Sequence, residues 1–118
     1  MPFSVKWAGG ILVEYNDVNI IFDPQTNGQK DSNIFITHAH YDHAKGFSFH
    51  DQKKYSTKET HSLAETFRNT EISNWKAMER SQKVNIDELE IRAHNAGHVL
   101  GSVQYEVISP EGNLVYTG

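Results

Sequence analysis

Thr37-His38-Ala39-His40-Tyr41-Asp42-His43 holds three imidazoles and one carboxylate. This stretch follows the short apolar run Ile34-Phe35-Ile36, which predicts a buried strand. Imidazole nitrogens and carboxylate oxygens are ligands for zinc, and also for manganese, iron and nickel. The sequence therefore predicts a metal-binding loop at the end of a core strand, and the alternative is a solvated loop rich in histidine.

The spacing divides the side chains of this loop into two groups. His38 and His40 are two residues apart, so an extended backbone directs both rings to the same side. Asp42 and His43 follow where the chain begins to turn, and they face a second point nearby. We expect one metal ion at the first pair and a second ion at Asp42 and His43.

Length and composition limit the classes of protein to which the chain can belong. The 118 residues, 1–118, are enough for at most one domain. A hydrophobic fraction of 37% and a net charge of −4 are ordinary for a globular protein and give no bulk argument for nucleic acid. The absence of cysteine excludes disulfides. There is no apolar run of membrane-spanning length and no signal-peptide pattern, so we expect no membrane contact and a cytoplasmic location.

Basic residues concentrate in the middle third of the chain. A solvated face is the simpler interpretation of these residues, and a local basic strip that would suit nucleic acid is the alternative. The residues are Lys53, Lys54, Lys58, Lys76, Arg80 and Lys83.

Two β-hairpins are predicted. The first joins residues 10–15 to residues 18–22 through the turn Asn16-Asp17, and the second turns at Asp87-Glu88. Asp23 ends the first hairpin, either as a turn cap or as a site residue. Further strands are expected at residues 33–37, 54–56, 103–108 and 114–116. A helix is expected to be capped by Ser56 and to bury Leu63 and Phe67, and Trp75 with Met78 gives a weak helical period.

A second histidine-containing segment lies far along the chain. His98 stands between Gly97 and Gly101, and glycine permits a sharp turn beside a site. We expect His98 to be the third nitrogen ligand of the first metal ion. The alternative for this residue is a hydrogen-bonded structural role. His94 is expected to be exposed or to support a ligand, and His50 and His61 are expected on the surface.

These segments resemble the metallo-β-lactamase fold. Thr37–His43 resembles its H-x-H-x-D-H signature, and Asp23 resembles the first motif, whose carboxylate supports the metal loop. His98 resembles the third motif. The amino-acid sequence of Ala96–Ser102 is similar to the corresponding motif of the β-CASP branch. This branch comprises nucleases that process RNA and DNA, including the nuclease subunit of the cleavage and polyadenylation factor and archaeal exonuclease-like proteins.

The resemblance implies a four-layer αββα sandwich. We expect this chain to supply half of it, as a mixed, mostly antiparallel sheet with outer helices. Because a single sheet would expose an apolar inner face, self-association, for example as a homodimer, is expected. Leu114–Gly118 resembles the strand that leads into a metal-bridging aspartate, so we expect the N-terminal part of a longer domain.

The resemblance also implies a dinuclear zinc site, with Mn²⁺ as an alternative, and a shared hydroxide that attacks RNA or single-stranded DNA. His38, His40 and His98 would hold one ion, and Asp42 and His43 the other. Asp42 and His98 would also be catalytic, with Asp42 orienting the nucleophile. We expect tighter binding at the first ion and weak activity from an incomplete site. The alternatives are a thioester or lactone hydrolase and a non-catalytic metal-binding or assembly module.

Overall fold

The computed structural model describes residues 4–26, 32–40, 43–49, 52–68, 72–79, 82–96, 102–110 and 112–117. These ranges form strands, one α-helix and one 3₁₀ turn. The first strands are β1 (Ser4–Trp7), β2 (Ile11–Tyr15), β3 (Val18–Phe22) and β4 (Asn33–Phe35), followed by the 3₁₀ turn Lys45–Ser48 and β5 (Lys54–Ser56). Next come helix α1 (Lys58–Arg68), β6 (Trp75–Ala77), β7 (Lys83–Ile86), β8 (Leu89–Asn95), β9 (Val103–Ser109) and β10 (Gly112–Tyr116).

The first sheet combines an antiparallel half with a parallel half. Its six strands are ordered β1-β2-β3-β4-β5-β6. The pairs β1–β2 and β2–β3 are antiparallel, whereas β3–β4, β4–β5 and β5–β6 are parallel. Because β3 and β4 are adjacent and parallel, their carboxyl ends meet at one edge of the sheet, and this brings Asp23 next to the histidine loop.

The second sheet corrects one expectation. The chain was expected to supply one sheet, yet β7 to β10 form a second, antiparallel sheet in the order β10-β9-β8-β7. Its inner face packs on the first sheet, and the shared core includes Phe22, Phe35, Ile91, Tyr105 and Val107. The alternating burial of β9 explains this, since every second side chain along the strand is buried. The inner apolar face is therefore covered within the chain. An exposed apolar face thus no longer argues for self-association, which remains an untested prediction.

The outer face of the first sheet is covered by α1 and by the 3₁₀ turn. Ala44, Phe47 and Ala64 pack there against Ile34 and Ile36. The described part of the chain thus has three layers, with strands that pair mostly in the antiparallel sense, as the sequence predicted. No helix in this part of the chain is long and apolar enough to cross a membrane.

The buried side of α1 differs from the predicted one. Phe67 is 70% exposed, whereas Thr60 and Ala64 are buried. The cap also differs, because the hydroxyl of Thr57, not that of Ser56, accepts the backbone N–H of Thr60 at 3.2 Å. The buried stripe runs instead through Thr60 and Ala64, which are four residues apart and therefore lie on one face of the helix.

Both predicted hairpins are confirmed. Asn16 and Asp87 adopt φ values of 52° in their turns, which is the left-handed conformation that these residue types tolerate. The weak helical period at Trp75 was a wrong prediction. Residues 75–77 form β6 instead, because they pair in parallel with β5, and Met78 continues the ladder by donating its N–H to Ser56 at 2.8 Å.

Gly10 permits the close approach that shapes the end of β3. A Cβ atom at this position would lie 2.8 Å from Cα of Pro24 and 2.9 Å from the carbonyl oxygen of Phe22. Those two backbone atoms flank Asp23. Glycine at position 10 therefore lets β2 pack directly against the backbone that carries the Asp23 carboxylate.

Candidate metal centre

Asp23 lies at the junction of the two strands that end beside the histidine loop. Its N–H donates to the carbonyl of Phe35 at 3.0 Å, which ties the end of β3 to the end of β4. Its φ of 48° is left-handed, a conformation that aspartate tolerates better than most residues do. The side chain is buried, with 4% exposure of the residue.

The Asp23 carboxylate accepts four hydrogen bonds. Oδ1 accepts the backbone N–H of Thr37 at 2.9 Å. Oδ2 accepts the hydroxyl of Thr37 at 2.7 Å, Nδ1 of His43 at 2.9 Å and the hydroxyl of Tyr116 at 3.0 Å. Four donors stabilise the ionised carboxylate and fix its orientation. The carboxylate in turn holds the residues at both ends of the loop.

This network assigns the tautomers of two imidazoles. Because a carboxylate only accepts hydrogen bonds, the proton between Asp23 and His43 belongs to Nδ1 of His43. The hydroxyl of Thr37 gives its proton to Asp23, so at 2.7 Å it accepts from Nδ1 of His38. In a neutral ring with its proton on Nδ1, the lone pair lies on Nε2. Both rings are thus oriented as metal-binding histidines commonly are, with a partner on the opposite nitrogen.

The rings of the loop lie close together. The centroids of His38 and His43 are 4.3 Å apart, and those of His38 and His40 are 4.8 Å apart. Asp23, His38 and His43 bring potential ligand atoms within 4.8 Å of one another. His38 is buried, His43 is half-buried and His40 is exposed. The arrangement can hold a metal ion, with access from solvent on the His40 side.

The second sheet anchors the segment that enters the loop. The carbonyl of Ile36 accepts the hydroxyl of Tyr105 at 2.7 Å, and the carbonyl of Thr37 accepts the N–H of Val103 at 2.9 Å. Complete burial, with a smaller effect from the charge of Asp23, raises the pKa of Tyr105 well above its usual value, so the phenol remains a donor. The loop is therefore fixed from both sheets.

Two predicted ligands, Asp42 and His98, lie outside the described residues. The ends of the segment that contains His98 are described. The N–H of Ala96 donates to the carbonyl of Ser102 at 3.4 Å, and Val103 follows directly with its bond to Thr37. The ends of this segment are therefore held together beside the histidine loop.

The two described histidines outside the loop, His61 and His94, have packing and surface roles. His94 is exposed, as predicted, and its Nε2 lies 2.9 Å from the Glu106 carboxylate. The prediction that His61 is a surface residue was wrong. Its ring is stacked on Trp75, with a centroid distance of 3.8 Å, between α1 and the sheet. His50 lies outside the described residues.

Two functional residues were missed by the sequence analysis. Thr37 connects His38 to Asp23, and its position next to the histidine motif was the available signal. Tyr116 donates to Asp23 from a strand 93 positions away, and no local pattern marks it. Burial and the neighbouring Asp23 charge raise the pKa of Tyr116, so this hydroxyl keeps its proton.

Replacing Tyr116 with phenylalanine tests the bond to Asp23. We expect the free energy of unfolding to fall by about 1.5–3 kcal/mol, because one hydrogen bond to a charged acceptor is lost. Urea denaturation of the metal-free chain measures the change. In a double-mutant cycle, the same substitution should have almost no effect when Asp23 is already alanine, which offers the hydroxyl no acceptor. Equal effects in both backgrounds would contradict the contact.

Comparison with known proteins supports the fold. No family model and no curated protein matches the chain. A crystal structure of a protein of unknown function from Enterococcus faecalis V583 superposes with a TM-score of 0.78 and 16% identity, covering 93% of this chain and 40% of that one. A motif mutant of a metallo-beta-lactamase from Cronobacter sakazakii superposes with a TM-score of 0.73 and 14% identity, covering 98% of this chain and 60% of that one. The chain thus spans about half the length of these structures. The described architecture is that of the metallo-β-lactamase fold.

Proposed function

We propose that the chain carries the metal site of a metal-dependent hydrolase that cleaves phosphodiester bonds of RNA or single-stranded DNA. The observation that supports it most directly is the bond network from Asp23 to His43 and, through Thr37, to His38. Such a network fixes the ring orientation and raises the basicity of ligating histidines. The resemblance of Ala96–Ser102 to β-CASP nucleases is the reason for choosing a phosphodiester.

Within this proposal, four histidines and Asp42 hold the ions, and Asp23 does not. His38, His40 and His98 would bind the first ion, and Asp42 and His43 the second. Asp23 brings its oxygens close enough to be a ligand, but they already accept four hydrogen bonds. Ligation through Asp23 would require Oδ2 to lose donors that orient two of the rings.

The donor set fits a zinc ion, since zinc binds neutral imidazole and carboxylate in the same site. When bound, zinc supplies positive charge and lowers the pKa of water to about 7. The residues of the chain contribute position and tautomer. Asp23 and Thr37 keep protons on the Nδ1 atoms of His43 and His38, and the anchored carbonyls of Ile36 and Thr37 keep the entrance of the loop in place.

Metal analysis and a substrate panel test the proposal. Purified chain is titrated with Zn²⁺ and Mn²⁺, and then assayed with single-stranded RNA, single-stranded DNA, a thioester and a lactone. We expect stoichiometric zinc, no cleavage of the thioester or lactone, and loss of any phosphodiester cleavage after chelation. Cleavage of the thioester or lactone alone would favour the other hydrolase class. Failure to bind zinc would contradict the proposal altogether.

A further inference from the structure

A cleft lies between the edge strands β6 and β7, at the side of the sandwich where the two sheets separate. Its volume is about 730 Å³, which is within the usual range of ligand pockets. Tyr55 and Met78, both buried, form part of its floor, and Val84 adds to the wall. The cleft lies at the β6 edge of the first sheet, opposite the β1 edge. Its described lining does not include the histidine loop.

Four cationic side chains line this cleft, and none of its described lining residues is acidic. They are Lys53, Lys76, Lys83 and Arg92. The chain has only 11 lysines and arginines and a net charge of −4, so this grouping gives the cleft a charge opposite to that of the protein as a whole. A concave surface with one sign of charge concentrates ligands of the other sign.

Part of this charge is already paired. Glu90 lies 3.6 Å from Lys83 and also binds Arg92, and the Arg92 hydrogen bond lowers its pKa, although desolvation opposes this shift. Lys53 places its ammonium 5.7 Å from the ring centroid of Tyr55. Lys76 pairs with Tyr55, and Lys53 precedes Tyr55 by two positions, so both lysine side chains lie on the same side of the sheet as the Tyr55 ring, which lines the cleft. These two lysines are the cations that a ligand would meet inside it.

We propose that this cleft binds the phosphodiester backbone of a single-stranded nucleic acid. Lysine ammonium groups bind phosphates as separate point charges, which suits a track of phosphates rather than one planar anion. Facing sheets are about 10 Å apart, and a double helix whose major groove alone is about 12 Å wide does not enter such a gap. The buried Tyr55 leaves little aromatic surface for bases, so the backbone provides the contact.

The cleft lies on the same sheet as the proposed metal site and could hold part of its substrate. The choice of a nucleic acid as the ligand rests on that proposed function. β6 is separated from β4, which leads into the histidine loop, by β5 alone. Two strand spacings amount to about 10 Å. Lys53 precedes the amino end of β5, whereas the histidine loop follows the carboxyl end of the parallel strand β4. A nucleic-acid strand held by Lys53 and Lys76 must therefore also run on the order of 15 Å along the sheet, about five residues at about 3.3 Å each, to reach the histidine loop.

A binding experiment in EDTA tests the inference separately from catalysis. A short fluorescein-labelled oligouridylate and its deoxy counterpart are titrated with the full chain, and fluorescence anisotropy is recorded at several salt concentrations. The double substitution Lys53→Glu and Lys76→Glu should weaken binding by about tenfold or more, and should lower the slope of log affinity against log salt by about 1.4, the value for two phosphate contacts.

A matched control makes the same change of charge elsewhere. Lys6→Glu with Lys58→Glu alters two exposed lysines outside the cleft, and should change affinity less than threefold, an order-of-magnitude bound for screened surface charges. Lys53→Gln with Lys76→Gln should give an intermediate loss, and circular dichroism confirms that every variant is folded. Equal losses in both charge-reversal variants, or no binding by the original chain, would overturn the inference.

Two further outcomes distinguish a nucleic acid from a free phosphate anion as the ligand, and distinguish the inference about the cleft from the proposed function of the metal site. Inorganic triphosphate is the competing anion: if it binds in a manner that depends on Lys53 and Lys76 while the oligonucleotide does not bind, the nucleic-acid assignment is wrong. Oligonucleotide binding through the cleft without zinc binding would leave the inference standing and remove the proposed function. RNA cleavage that is insensitive to the cleft substitutions would support the proposed function and contradict the inference about the cleft.

Discussion

Replacing His38 with alanine is expected to reduce zinc affinity by about 100-fold or more. Structural zinc sites bind with roughly 10–16 kcal/mol shared among four ligands, so one ligand accounts for about 3 kcal/mol. His38 is the buried ring of the loop, with 5% exposure, and its Nδ1 is bonded to Thr37. Competition with a chromophoric chelator measures the change directly.

The control for this substitution is His94→Ala. His94 is exposed on β8 and bonds to Glu106, so its removal takes away an imidazole of the same kind without touching the loop. Zinc affinity should be unchanged within about twofold, well under the tenfold that 1.4 kcal/mol represents. If the two alanine variants bound zinc equally well, His38 would not be a ligand.

The second large effect is expected for Asp23→Asn. Asparagine has the same shape but carries an amide NH₂ in place of one oxygen. With NH₂ at the Oδ2 position, it meets donors from Thr37, His43 and Tyr116. With NH₂ at the Oδ1 position, it meets the backbone N–H of Thr37. Neither orientation satisfies every donor. We therefore expect stability to fall by about 2–4 kcal/mol.

Zinc affinity should fall in the same variant by about 10- to 100-fold, the usual cost of losing an outer partner of a ligating histidine. Urea denaturation without metal and chelator competition with metal measure the two effects independently. Asp17→Asn provides the matched control, since Asp17 is exposed in the first hairpin turn. Wild-type stability and affinity in Asp23→Asn would show that the carboxylate does not support the site.

Local features of the fold could be predicted from the sequence. The turn residues Asn16 and Asp87 marked both hairpins, because their left-handed conformations are favoured by their own side chains. The cluster at His38 was recognised by composition and spacing. Asp23 was expected to support the loop, and its four hydrogen bonds are consistent with that role.

Pairing between distant segments could not be read from the sequence. β6 is only three residues long, too short for its alternating pattern to identify a strand, so its parallel pairing with β5 depends on tertiary structure. The two-sheet architecture was missed because the alternation in β9 is the same whether its buried face meets a sheet of this chain or of another copy. Tyr116 illustrates the same difficulty, since its role depends on where β10 is placed.

The hydrogen bonds of Asp23 have a consequence for folding kinetics. Their partners lie 14, 20 and 93 positions further along the chain, so the loops that they close range from short to nearly the full length. The longest closure costs the most entropy and forms only when β10 joins its sheet. We therefore expect the network to be completed late in folding. An ion that binds only the completed network would stabilise the native state without increasing the folding rate.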